Sequence, residues 1–303
     1  MVFRQPCAAL LLLWGFSQFH ATAGVKHGGE LVRGVNCGLP EGTSLEASSE
    51  TTFSSDGVVT GKSFGAVKTT HKSGAVKFVR CKFTNPGFVS LDAGEGMTPG
   101  TENYTVQRFG EGSVELEDCE VYGGKSVAIL NVDKLTRTYV AGGNDLIRAP
   151  AGESFYTEVL GEKVQMASPE SHSDVLQVTF GKNQTKDHPL LGTIHVVRCR
   201  FDARGRIGED GKSLDPVNGA IQLGSFGPNT GVTGVITDCF FDGGPFTLSG
   251  GGKGDIGDPV VLRGNKFGRN CKFGPMHPGW RTNHDVDDSN VWADTGSSAQ
   301  GKP

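Results

Sequence analysis

The sequence predicts an all-β solenoid, a right-handed parallel β-helix of about seven rungs. Three observations carry this. Between Ala75 and Phe267 one pattern recurs: a short β-branched strand, a turn built on Gly, then a second short strand. Four of the repeats place Cys at the same point: Val79-Arg80-Cys81-Lys82-Phe83, Glu117-Asp118-Cys119-Glu120-Val121, Val197-Arg198-Cys199-Arg200-Phe201 and Thr237-Asp238-Cys239-Phe240-Phe241. A fifth segment, Leu262-Arg263-Gly264-Asn265-Lys266-Phe267, has Asn there. Finally, Gly supplies 46 of 303 residues. Each Gly inside a helix would destabilise it by roughly 1 kcal/mol, so short strands joined by Gly turns suit this composition better. A sandwich of antiparallel hairpins also shows short, evenly spaced strands, but it does not explain the recurring Cys-x-Phe or Cys-x-Val element.

At the N-terminus, Arg4 precedes an apolar run from Ala8 to Phe16 and the small-x-small sequence Ala21-Thr22-Ala23. This reads as a signal peptide over residues 1–23, cut before Gly24. The run is shorter than the roughly 20 residues that span a bilayer. The expectation is therefore a secreted, extracellular monomer without membrane insertion. Residues 24–74 are polar and rich in Gly, Ser and Thr, and are expected to cap the first rung, since an uncovered rung offers open strand edges. The rungs run from Ala75, with second strands expected at Phe88–Leu91, Val127–Leu130, Leu146–Arg148, Val175–Val178, Ala220–Leu223 and Phe246–Leu248. Residues up to 296 complete the β-helix and its C-terminal cap, and 297–303 are expected to be disordered.

Six Cys remain after the signal peptide: 37, 81, 119, 199, 239 and 271. The even count fits three disulfides. A buried ladder of free thiols fits equally, because side chains on stacked parallel strands point the same way. The net charge of -4 comes with no basic cluster, so no nucleic-acid partner is expected.

Aligned second strands of the central rungs read Asp145-Leu146-Ile147-Arg148, Asp174-Val175-Leu176-Gln177 and Gly219-Ala220-Ile221-Gln222. The strand alternation stacks Arg148, Gln177 and Gln222 in one column, with Ser90, Ile129 and Thr247 at the flanking positions and Asp145 and Asp174 paired before it. Asn218 joins Gln177 and Gln222 as a candidate ligand-binding amide. His172, in Ser171-His172-Ser173-Asp174, is the candidate for proton transfer. A Ser/His/Asp triad is not expected from neighbours on one turn. Gly251–Asp255 reads as a flexible turn, and the His and Asp residues of the tail match no zinc spacing.

The elements Asp145-Leu146-Ile147-Arg148, His172-Ser173-Asp174-Val175-Leu176-Gln177, Asn265-Lys266-Phe267-Gly268, Phe273-Gly274-Pro275 and Asn290-Val291-Trp292-Ala293-Asp294-Thr295-Gly296 together resemble exported β-helix proteins of the pectin-lyase-like superfamily. The resemblance covers residues 75–296; that group usually has Gly where this chain has Val175. It implies the fold and a polysaccharide partner, and fold alone does not give function. The leading expectation is a lyase that cleaves a uronic-acid polymer by β-elimination. Arg148 would neutralise the carboxylate, His172 or Lys163 would be the base, and Asp145 and Asp174 would hold Ca²⁺. The alternative is a non-catalytic glycan-binding or structural surface protein.

Overall fold

The computed structural model describes residues 25–89, 100–165, 172–179, 190–204, 217–224, 226 and 228–300. The signal-peptide segment, Ser90 and Ser171 lie outside them. The described residues form a parallel β-helix of three sheets with 10, 9 and 9 strands. Each coil contributes one strand to each sheet in turn. Coil 1 is Glu46–Ala47, Thr52–Phe53 and Gly57–Thr60; coil 5 is Tyr139–Ala141, Asp145–Arg148 and Gly152–Thr157; coil 9 is Lys266–Phe267, Gly274–Met276 and Asp285–Val286. Val291–Trp292 then adds the last strand of the first sheet. Every strand pairing between coils is parallel.

Three sheets arise where the sequence suggested two strands per rung, because each Cys-bearing segment is bent. The chain turns between the third and first sheets at a left-handed residue: Gly61, Arg80, Asp118, Arg137, Glu158, Arg198, Asp238 and Gly264, with φ from 45° to 67°. This conformation costs a non-Gly residue roughly 1–2 kcal/mol. From Arg80 onward the next residue is buried in register on successive coils, namely Cys81, Cys119, Thr138, Val159, Cys199, Cys239 and Asn265, and Asn290 extends that register by one more coil. The side chain at this position serves the turned backbone of the neighbouring coil. Cys81 N–H donates to Cys119 Sγ at 3.4 Å, Cys199 N–H to Cys239 Sγ at 3.3 Å, and Cys239 N–H to Asn265 Oδ1 at 3.0 Å. The six cysteines are free thiols. Two positions further on, Phe64, Phe83, Val121, Val140, Phe201, Phe241, Phe267 and Trp292 fill the core.

Several boundaries differ from expectation. Coils begin at Glu46, not Ala75, because the strands before Ala75 are only two to four residues long and do not stand out as a repeat. In coil 3 the second strand is Tyr104–Arg108, not Phe88–Leu91. Residues 25–38 do not cap the first rung. They lie as a strap along the left-handed corner, where Gly28 N–H donates to Asp238 O at 2.7 Å and Gly38 N–H to Arg137 O at 2.8 Å. The Cys37 thiol donates to Glu158 O at 3.3 Å. Arg33 fastens the strap by an ion pair with Glu120 at 2.8 Å and stands over the Tyr122 and Tyr139 rings at 5.3 and 4.8 Å. At the other end, residues 297–300 fold back instead of fraying: Ala299 is fully buried and its N–H donates to Asn290 O at 2.8 Å. The Gly251–Asp255 turn is likewise built, with Asp255 accepting from Asn229 N–H at 2.9 Å and Thr230 N–H at 3.2 Å. Among the described residues no helix is long and apolar enough to cross a membrane.

Two outcomes test this arrangement. Arg33→Ala should lower unfolding free energy by about 1–3 kcal/mol, because it leaves buried Glu120 without its cation; the urea midpoint should fall at unchanged slope. In the native chain lacking residues 1–23 a thiol reagent should titrate Cys271 first and slowly, since it is half-buried and burial raises its thiol, with the five buried cysteines reacting only after unfolding.

Candidate functional site

The second sheet carries the candidate site on coils 5 to 8. Its register sets Arg148 beside Gln177, and Gln177 beside Gln222. The predicted column therefore forms. It continues to Leu130 on one side and Ser249 on the other, one residue on from the expected Ile129 and two on from the expected Thr247, both of which are buried. Arg148, Gln177 and Gln222 are half-buried, open enough to meet a ligand.

At the strand starts, Asp145 and Asp174 stack on adjacent coils and both are buried. Asp145 Oδ2 accepts from Arg148 Nη2 at 2.8 Å, and its Oδ1 accepts from the Asp174 N–H at 3.1 Å. Neither Asp174 carboxyl oxygen has a hydrogen-bond partner of good geometry. Burial pushes the Asp174 carboxyl well above the usual carboxylate range, and the Asp145 charge adds to it. The Asn218 amide and Arg148 pull the other way. Asp145 is also raised by burial, with Arg148 opposing. Two stacked buried carboxyls beside one guanidinium favour keeping a proton on the pair.

His172 is exposed at the corner before this strand. Its Nδ1 lies 2.9 Å from the Asn218 side-chain amide. The hydrogen bond at Nδ1 sets which ring nitrogen carries the proton. With the Asn218 Nδ2–H donating to Nδ1, the neutral ring carries its proton on Nε2. Asn218 N–H donates to Ser173 O at 2.8 Å, and its carbonyl accepts from Ser249 Oγ at 2.7 Å. Ser173 Oγ donates to Asn144 Oδ1 at 2.9 Å. Asn144 and Ser249 were missed in the sequence. Asn144 was detectable, since Asn144, Ser173 and Asn218 each precede the aligned Asp145, Asp174 and Gly219.

Lys163 is placed elsewhere on the coil. It forms a left-handed turn, φ 57°, after Leu160–Glu162, and its carbonyl accepts from Gly142 N–H at 3.1 Å. It is not among the residues that the register sets beside Arg148. The carboxyl pair does not fit Ca²⁺, which takes six to eight oxygens. Both Asp145 oxygens are already engaged, and the Arg148 guanidinium brings positive charge against the pair. Among the described residues no group of three or more His, Cys, Asp or Glu side chains is placed to hold a metal. No family model, curated protein or solved structure matches the chain.

The pair makes stability depend on pH. A carboxyl whose folded pKa is raised stabilises fully below its unfolded pKa, near 3.9, and loses that contribution as pH rises through the folded value. Asp174→Asn removes the titration. The variant should match the wild type near pH 4 and exceed its urea stability by about 1–3 kcal/mol at pH 7.

Proposed function

We propose that the protein binds an acidic polysaccharide along the second sheet and cleaves it by β-elimination at coils 5 and 6. The observation that carries this is the single column Arg148–Gln177–Gln222 on the sheet whose entry corner holds exposed His172. A row of evenly spaced, half-open polar side chains suits an extended polymer. The parallel β-helix is also the fold that the pectin-lyase-like resemblance implies, which supports placing the chain near that superfamily.

In this reading Arg148 holds the uronate carboxylate and draws charge from the anion that forms when the neighbouring C–H loses its proton. The His172 imidazole takes that proton from C5. The C5–H electrons form the C4–C5 double bond, the C4–O bond breaks, and the departing oxygen is protonated by the imidazolium or by solvent. Asp145 and Asp174 are sealed from solvent and touch no substrate; Asp145 is a positioning residue that aims Arg148. The solvent inaccessibility of both carboxyls also favours a second reading. Arg148, His172, Asn218, Gln177 and Gln222 alone are sufficient to bind a glycan without breaking it.

The test is incubation of the chain lacking residues 1–23 with polygalacturonate, alginate and hyaluronan while absorbance is followed near the unsaturated-uronate band. A rise that falls by about a hundredfold in Arg148→Ala supports the lyase. Binding with no rise on any substrate moves the function to the second reading.

A further inference from the structure

Continuing the register of the second sheet toward the C-terminus extends this site by a subsite. The corner position held by His172 on coil 6 is held by Val217, Gly244 and Lys272 on coils 7, 8 and 9; the position after it runs Ser173, Asn218, Pro245, Phe273. Backbone bonds confirm the alignment at its far end: Lys272 N–H donates to Gly244 O at 3.2 Å and Phe273 N–H to Pro245 O at 2.8 Å. The column itself passes from Ser249 toward His277, whose N–H donates to Leu248 O at 2.9 Å.

These residues form an aromatic platform on the outside of the coil. Phe246 packs against Phe273 with centroids 5.5 Å apart and against His277 at 5.2 Å. Phe273 stays 53% exposed although it is a large apolar ring, and the exposed Lys272 Nζ stands 5.0 Å from its centroid. A solvated cation beside an open ring joins the two chemistries that a carboxylated sugar offers. The partly positive C–H face of a pyranose packs on the negative face of the ring, and the carboxylate pairs with the ammonium.

We propose that Lys272 and Phe273 form a distal subsite for a uronate residue of the same polymer whose chain passes Arg148. This rests on the acidic-polysaccharide reading above. Three coil steps separate His172 from Lys272, roughly 14 Å at about 4.8 Å per step. The polymer would lie along the solenoid axis and span more than two sugar units between the two ends.

Calorimetric titration of the chain lacking residues 1–23 tests this with polygalacturonate, alginate, a disaccharide from each, and neutral dextran. Lys272→Ala and Phe273→Ala are the variants; both side chains are exposed, and thermal melts check that each variant folds. The expected result is that each weakens polymer affinity by about tenfold, the loss of one charge-assisted or stacking contact, leaves disaccharide binding at Arg148 intact, and leaves dextran unbound. Unchanged polymer affinity in both variants, with loss in Arg148→Ala, overturns the subsite and spares the reading it rests on. Equal binding of dextran overturns its acidic specificity. A wild-type chain that binds neither uronate polymer overturns both proposals.

Discussion

The left-handed corner between the third and first sheets is the constraint on which the rest of the structure depends. A parallel strand cannot meet its successor without a sharp change of direction, and here one residue per coil supplies it. That residue is charged at six consecutive corners: Arg80, Asp118, Arg137, Glu158, Arg198 and Asp238. The signs alternate up the stack, so side chains a strand spacing apart attract. Arg137 pairs with Asp118 at 2.6 Å and Arg198 with Glu158 at 3.1 Å. Each such pair contributes little at the surface. Its value lies in tolerating a conformation that Gly would adopt freely, while the buried Cys or Asn beside it takes the turned N–H. Corner carbonyls of Arg137, Glu158, Asp238 and Gly264 lie along the N-terminal strap, which supplies donors to them. Corner, thiol ladder and strap therefore answer one question, where the turning backbone places its hydrogen bonds.

That constraint explains which features could be read from the sequence. The Cys element was visible because it recurs beside an invariant turn, and its period correctly placed Cys81 next to Cys119 and Cys199 next to Cys239. The column Arg148–Gln177–Gln222 was visible because three strands share an apolar frame around it. The corner was not, since Arg, Asp and Glu do not announce a left-handed turn as Gly or Asn would. Ala75–Phe83 consequently read as one strand when it is two, and a sheet was lost. The offsets at Leu130, by one residue, and at Ser249, by two, have the same character: Val-Ala-Ile-Leu and Phe-Thr-Leu-Ser alternate too weakly to fix register. The strap was illegible for a different reason. Its contacts reach residues more than 200 positions away, and a polar, Gly-rich segment carries no periodicity that points to them.

The central coils break the pattern that the corner sets. Elsewhere the strand starts of the second sheet hold Tyr104, Val127 and Phe246; on coils 5 and 6 they hold Asp145 and Asp174, and on coil 7 Gly219. Buried carboxyls destabilise a fold that could hold apolar residues in their place. Local rules are broken in this way mainly where function needs it, and here the breach sits next to the open polar column.

The carboxyl pair also decides what the site presents to an anion. Were both carboxyls ionised, they would outweigh Arg148, and the field toward solvent would repel a uronate. A proton kept on the pair leaves one negative charge for Arg148 to balance, and the Arg148 side chain is 34% exposed. Burial favours that protonation by raising both carboxyls, and neither Asp174 oxygen has a hydrogen-bond partner of good geometry to stabilise its charge. A chain of net charge -4 can in this way offer an anion-accepting surface without a basic cluster. Local desolvation of the carboxyl pair thereby bears on the charge that the site presents at Arg148.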